Sequence, residues 1–244
     1  MMPRILTLLI TLCFTSLAFA DCGALITELE NKLYNGRKSE MSLCKVWPAD
    51  QTKTIVVLPM PVSSPDAPDV TLYDLDVLVV ATDSQPAEIL SFSHEPEALV
   101  SDAVRIDDIQ IDTARYQLNS QQRAFGVRVD YRGSSSANPF AEQVLSLYVM
   151  KGSVLQALFK GLSVEQYGGE WDTRCAGEFN STKRTLSIGQ TVTKGYADLR
   201  VNEVSEFWTT KEQGDVCIDE SKEMKKTSHS LKYNDKGYDI SALK

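Results

Sequence analysis

From Lys53 almost to the C-terminus the apolar side chains recur at every second position. That period lines one face of a strand and no face of a helix. Strands are predicted over Lys53 to Leu58, Val70 to Ala81, Ala87 to Ser93, Val104 to Ile111 and Ala124 to Arg132, with a Pro and Ser linker (Pro59, Pro61, Pro65, Pro68) between the first two. In the last of them Phe125, Val127, Val129 and Tyr131 alternate with Arg128, Asp130 and Arg132, as in a strand with one wet face. The apolar face switches between Val104, Ile106 and Ile109, Ile111, which predicts a bulge at Asp107-Asp108.

Residues Gln143 to Tyr167 read as a three-strand antiparallel meander, turning at Lys151-Gly152 and Lys160-Gly161. A Gly168-Gly169 break follows, then strands at Arg184 to Ile188 and Ala197 to Trp208 and a closing hairpin around Asn234 to Gly237. Lys194-Gly195-Tyr196 and Lys236-Gly237-Tyr238 read as two similar turns rather than as a repeat. The sum is a mainly β chain, most simply an antiparallel sandwich or two packed sheets with one short N-terminal helix. A small propeller-like meander is the alternative.

The helix is signalled by Leu25, Ile26, Leu29 and Leu33 on one face and by a left-handed stop at Asn35-Gly36. Ahead of it, residues 1–20 have the form of a cleaved signal peptide: Arg4, an apolar run from Ile5 to Phe14, then Ala18-Phe19-Ala20. The run is too short to span a bilayer, and neither Cys13 nor Cys22 follows a small residue as a lipid anchor requires, so no membrane anchor is expected. Cleavage near Ala20 would deliver the chain to the periplasm or the medium. Further divisions are expected at 21–52, a stapled helical segment, at 53–167, and at 168–244, a stapled β region that can form one domain with the segment before it.

Removing the signal leaves four cysteines, an even number suited to an oxidising compartment. The sequence-local pairing, Cys22 with Cys44 and Cys175 with Cys217, is favoured because each bridge then staples one segment, at about 3 to 4 kcal/mol apiece. No two cysteines have zinc-knuckle spacing and only His94 and His229 supply imidazole, so neither metal nor cofactor is expected. Cleavage also removes one arginine and no acid, leaving 24 basic against 33 acidic residues and a net charge of −9. Such a surface repels nucleic acid and anionic membranes and suits a basic protein partner.

Catalytic signals are sparse. His94 reads as part of a turn before Glu95-Pro96, His229 lies between serines, no Gly-x-Ser-x-Gly elbow is present, and Ser42-Leu43-Cys44-Lys45 lacks its companion motifs. The candidate carboxylates are Asp74 and Asp76, roughly 7 Å apart on one strand face, together with Asp107 and Glu170, which an acid and base hydrolase of glycan or peptide would have to bring together. The densest unusual segment surrounds Glu170, Trp171, Asp172 and Arg174, where glycines, an aromatic ring, mixed charge and a stapled cysteine suit recognition. Trp47 and Trp208 read as core. A binding role, as envelope accessory factor, enzyme inhibitor or immunity protein, is therefore the leading expectation, and a carboxylate-dependent hydrolase the second.

Overall fold

The computed structural model describes residues 22–62, 67 and 69–243, so the segment expected to be a signal peptide lies outside the described residues. Helix α1 (Cys22–Tyr34) ends where Asn35 and Gly36 both adopt positive φ, as its sequence predicts. Its apolar stripe, Leu25, Ile26, Leu29 and Leu33, packs on Val56, Leu58, Leu78 and Val80. A disulfide from Cys22 to Cys44, with Cα atoms 5.6 Å apart, ties the helix to the short strand β1 (Leu43–Val46). Glu30 is buried on this helix without being stranded. Its Oε1 accepts the Ser39 amide and hydroxyl and its Oε2 meets Lys38, all at 2.8 Å, which outweighs the burial that would raise its pKa and holds it below the usual value.

β1 continues into β2 (Lys53–Val62), β3 (Thr71–Ala81) and β4 (Ile89–Ser101), an antiparallel array in sequence order. A second antiparallel array holds β5 (Val104–Gln117), β6 (Arg123–Gly133), β7 (Phe140–Lys151) and β8 (Val154–Trp171). The two meet in a single parallel bridge, Phe92 to Val154. Their apolar faces close on one core. Tyr73, Leu75, Val77 and Val79 of β3 face Ile106, Ile109 and Ile111 of β5 and Phe125, Val127 and Val129 of β6. Trp47 completes it, edge-on to Phe125 at 5.6 Å. The alternation written in the sequence therefore becomes a mainly β, sandwich-like fold whose strands form one hydrogen-bonded sheet rather than separate blades.

A further layer follows from β9 (Gly177–Thr193), β10 (Tyr196–Gln213) and β11 (Val216–Leu231), which continue from β8 in that order. Leu199 and Val201 of β10, with Leu231, bury against Leu145, Leu147 and Leu162, so β7 and β8 carry core on both faces. The chain closes with a hairpin bridged from Tyr233 to Tyr238 whose tyrosines join the same core. The two similar turns lie together: Tyr196 stacks on Tyr233 at 4.0 Å, and Lys194 pairs with Asp235.

Several local expectations are corrected. Pro59 and Pro61 belong to β2 and not to a linker. β1 pairs only as far as Val57, and the carbonyls of Pro59 and Pro61 accept from Glu40 N and Arg37 Nη2 on the vacated side. Each proline nitrogen therefore faces an edge where no ladder amide is needed. Lys160-Gly161 is a bulge inside β8, with Gly161 at positive φ and Phe159 and Leu162 pairing Leu147 and Leu145, so the region holds two strands and not three. Gly168-Gly169 is likewise continuous strand, and the boundary expected at 167/168 falls within β8. His94 lies inside β4, where a bulge around Pro96 and Glu97 absorbs the proline. The bulge expected at Asp107-Asp108 is present. β11 escapes the alternation rule because nearly every side chain on both its faces is exposed. Among the described residues no helix is long and apolar enough to cross a membrane.

Candidate functional site

The distal halves of β8, β9, β10 and β11 form an arm that carries little of the core. β10 and β11 stay paired from Leu199–Leu231 out to Gln213–Val216, yet beyond Val201 none of the β10 side chains is buried. At the end of this arm lies the predicted recognition segment. Asp172 Oδ1 accepts the amides of Arg174 and Cys175 at 2.8 and 2.7 Å, which closes the β8–β9 turn and holds its carboxyl below the usual range. Cys175 is bonded to Cys217, Cα to Cα 5.4 Å, so the turn is fastened to the start of β11. Arg174 reaches Glu212 at 3.7 Å, an exposed pair of little energetic weight. Glu170, Trp171 and Asp172 line a shallow depression of about 590 Å³.

Trp171 is half-buried and belongs to none of the three cores. Trp171→Ala is therefore expected to lower the melting temperature by no more than about 2–3 °C, the shift that roughly 1 kcal/mol produces in a chain of this size. A drop of about 10 °C in a calorimetric scan would show that the ring is structural.

Behind the turn the arm carries an aromatic shelf. Tyr167, Phe179 and Trp208 stack on one another with ring centroids 5.6 to 6.3 Å apart. Cross-strand register produces this, since Trp208 pairs with Phe179 and Phe179 pairs with Gly169. A Cβ on Gly169 would lie 2.5 Å from the Phe179 ring, and one on Gly177 would lie 2.9 Å from it. The glycines thus make the floor for the ring.

Tyr167 and Trp208 open onto a groove of about 600 Å³ that crosses the sheet from β5 to β10. One row of side chains runs across it through consecutive registered pairs: Asp108 to Asp130, Asp130 to Gln143, Gln143 to Glu165, Glu165 to Lys183. Gln143 Nε2 donates to Asp130 at 2.8 Å, and Gln110 Nε2 donates to both Asp108 and Asp130 at 3.0 Å. Asp107 and Glu142 add two more carboxylates, against which the groove sets Arg132 and Lys183. Among the described residues only Asp107 of the five carboxylates is ion-paired, to Arg105 and Arg132. Burial, with the Glu142 charge behind it, pushes the Tyr131 phenol up to about 12, so it stays a neutral donor.

The four carboxylates proposed for acid and base chemistry do not gather in one place: Asp74 and Asp76 share a face of β3, and the other two lie elsewhere. Asp74 accepts the Glu97 amide at 2.8 Å within the β4 bulge. Asp76, on the same face of β3, is fully buried and accepts from His94 Nδ1 at 2.7 Å, with its second oxygen unpartnered. Asp107 lines the groove and Glu170 lines the depression at the arm's end. Those two cavities are separate, and neither Asp74 nor Asp76 lines them. Burial raises the Asp76 pKa against the lowering effect of His94. No group of three or more His, Cys, Asp or Glu gathers as a metal site among the described residues.

Sequence reasoning singled out Glu170–Arg174, which spans the end of β8 and the β8–β9 turn, and missed the groove. Its parts come from six strands and meet only through register, although the Gly-Gly ahead of Trp171 is the mark of an aromatic ring lying across a strand.

Comparisons with family models, curated proteins and solved structures give no match.

Proposed function

We propose that this is an exported protein, periplasmic or secreted after cleavage near Ala20, that binds another protein through the arm and its groove. The observation that carries the reading is the arm itself. Long paired strands that carry little of the core contribute little to stability, yet here they are fastened at the end by a disulfide and carry three stacked aromatic rings. Rigid aromatic area held in place by a staple is what a binding surface needs, because little ordering entropy is lost on contact. Two disulfides accord with an oxidising compartment, and a net charge of −9 after cleavage favours a basic partner, as for an accessory factor, inhibitor or immunity protein.

The test is capture from the envelope fraction of producing cells with two baits, the mature chain and its Trp208→Ala variant. One partner recovered in proportion to the first bait, released by salt and lost from the second, is the expected result. A chain that is recovered alone, or whose partner is indifferent to Trp208, would refute the proposal.

A further inference from the structure

We infer that the groove takes an extended polypeptide segment rich in arginine or lysine, lying across β5 to β9 against the shelf of Tyr167 and Trp208. The inference rests on the binding reading above and names the chemistry of the occupant. Three features carry it. The row from Asp108 to Lys183 crosses five strands, which at the usual strand separation of about 4.8 Å makes it roughly 19 Å long. An extended chain covers that distance in about six residues and presents alternate side chains to the row. Four of the five groove carboxylates, Asp108, Asp130, Glu142 and Glu165, form no ion pair among the described residues, and of these only Glu165 has a lysine, Lys183, opposite it in register. A neutral glycan could stack on the same rings, but it would dehydrate these charges without neutralising them, whereas a guanidinium or ammonium does both. The shelf adds a face over which a cation is attracted by the ring quadrupole.

Calorimetric titration of the full mature protein separates the possibilities. The probes are a capped octapeptide alternating arginine and serine, its glutamate counterpart and the tetramer of N-acetylglucosamine. The arginine peptide is expected to bind, more weakly as salt is raised, while the glutamate peptide and the sugar do not. The double variant Asp108→Asn/Glu165→Gln replaces two exposed side chains with isosteric amides that spare the fold, and is expected to weaken the arginine peptide by about tenfold or more. Binding of the sugar in place of the peptide, or equal affinity for wild type and double variant, overturns the inference. If the peptide fails while Trp208→Ala still abolishes capture of a partner, the basic segment is refuted and the binding reading stands; failure of both removes both.

Discussion

Gly237→Ala is expected to destabilise the protein by about 3 to 5 kcal/mol, a loss of roughly 10 °C in melting temperature. Gly237 is buried at positive φ in the turn that closes the C-terminal hairpin, and a Cβ there would fall on the carbonyl oxygen of Leu158. That oxygen is already engaged, since the Tyr238 amide donates to it at 2.7 Å, and Gln156 Nε2 donates to the Lys236 carbonyl at 2.7 Å beside it. Backbone meets backbone, so no side-chain rotation relieves the clash. The hairpin must lift from β8 and withdraw Tyr233, Tyr238, Ile240 and Leu243 from the core they share with Leu158. Urea unfolding measures the loss, and hydrogen exchange localises it, with protection expected to fall first at Tyr238. An alanine variant within 1 kcal/mol of wild type would mean that the hairpin is not seated in this way.

The second large effect belongs to His94→Ala, expected to cost about 3 kcal/mol near neutral pH because it leaves a buried carboxylate without a partner. Asp76 is inaccessible to solvent and His94 Nδ1 supplies its one side-chain hydrogen bond. The pH dependence has a definite sign. Burial raises the folded-state pKa of Asp76 above its ordinary value of 3.8, so the folded chain holds a proton that the unfolded chain releases. The contribution to stability is complete below that ordinary value and is lost as pH rises through the folded one. Asp76→Asn removes the titration, so its melting temperature relative to wild type should increase as pH rises above the ordinary carboxylate value. Removing His94 takes away the interaction that favours the carboxylate, so the cost of His94→Ala should grow over the same range. A gap between Asp76→Asn and wild type that narrows as pH rises would contradict the assignment.

The parts of this fold legible in the sequence are those in which one face of an element is dry. α1, β3 and β6 each carry an unbroken apolar period, and the face switch in β5 revealed its bulge because Ile106 and Ile109 must both reach the same core. Glycine and proline misled where backbone freedom served packing rather than reversal. Gly161 accommodates a bulge, Gly169 lies under Phe179, and Pro59 and Pro61 occupy an edge left free by the shortness of β1. β11 was illegible for a different reason. Its order comes from pairing with β10 over its whole length, and with both faces wet no period is written into its side chains.

The disulfides followed from parity and locality, and with them the fastening of the β8–β9 turn to β11. The groove did not. Asp108, Asp130, Gln143, Glu165 and Lys183 are neighbours only because five strands pair in one register, and slipping any strand by one residue would scatter the row to opposite faces. The hydrolase expectation required a similar convergence of Asp74, Asp76, Asp107 and Glu170. The same register keeps Asp74 and the buried Asp76 together on one face of β3 and puts Asp107 in the groove and Glu170 at the end of the arm.

The most direct measurement is site-specific photocrosslinking in the producing cells, with a benzophenone side chain placed at Ser181 or Lys183 in the groove, or at the exposed Glu88 beside α1. A discrete adduct from both groove positions and none from Glu88, abolished by Asp108→Asn/Glu165→Gln, is the result predicted for a groove that holds a basic partner. Adducts from Glu88 with none from the groove would contradict it and move the binding surface to the opposite side of the molecule.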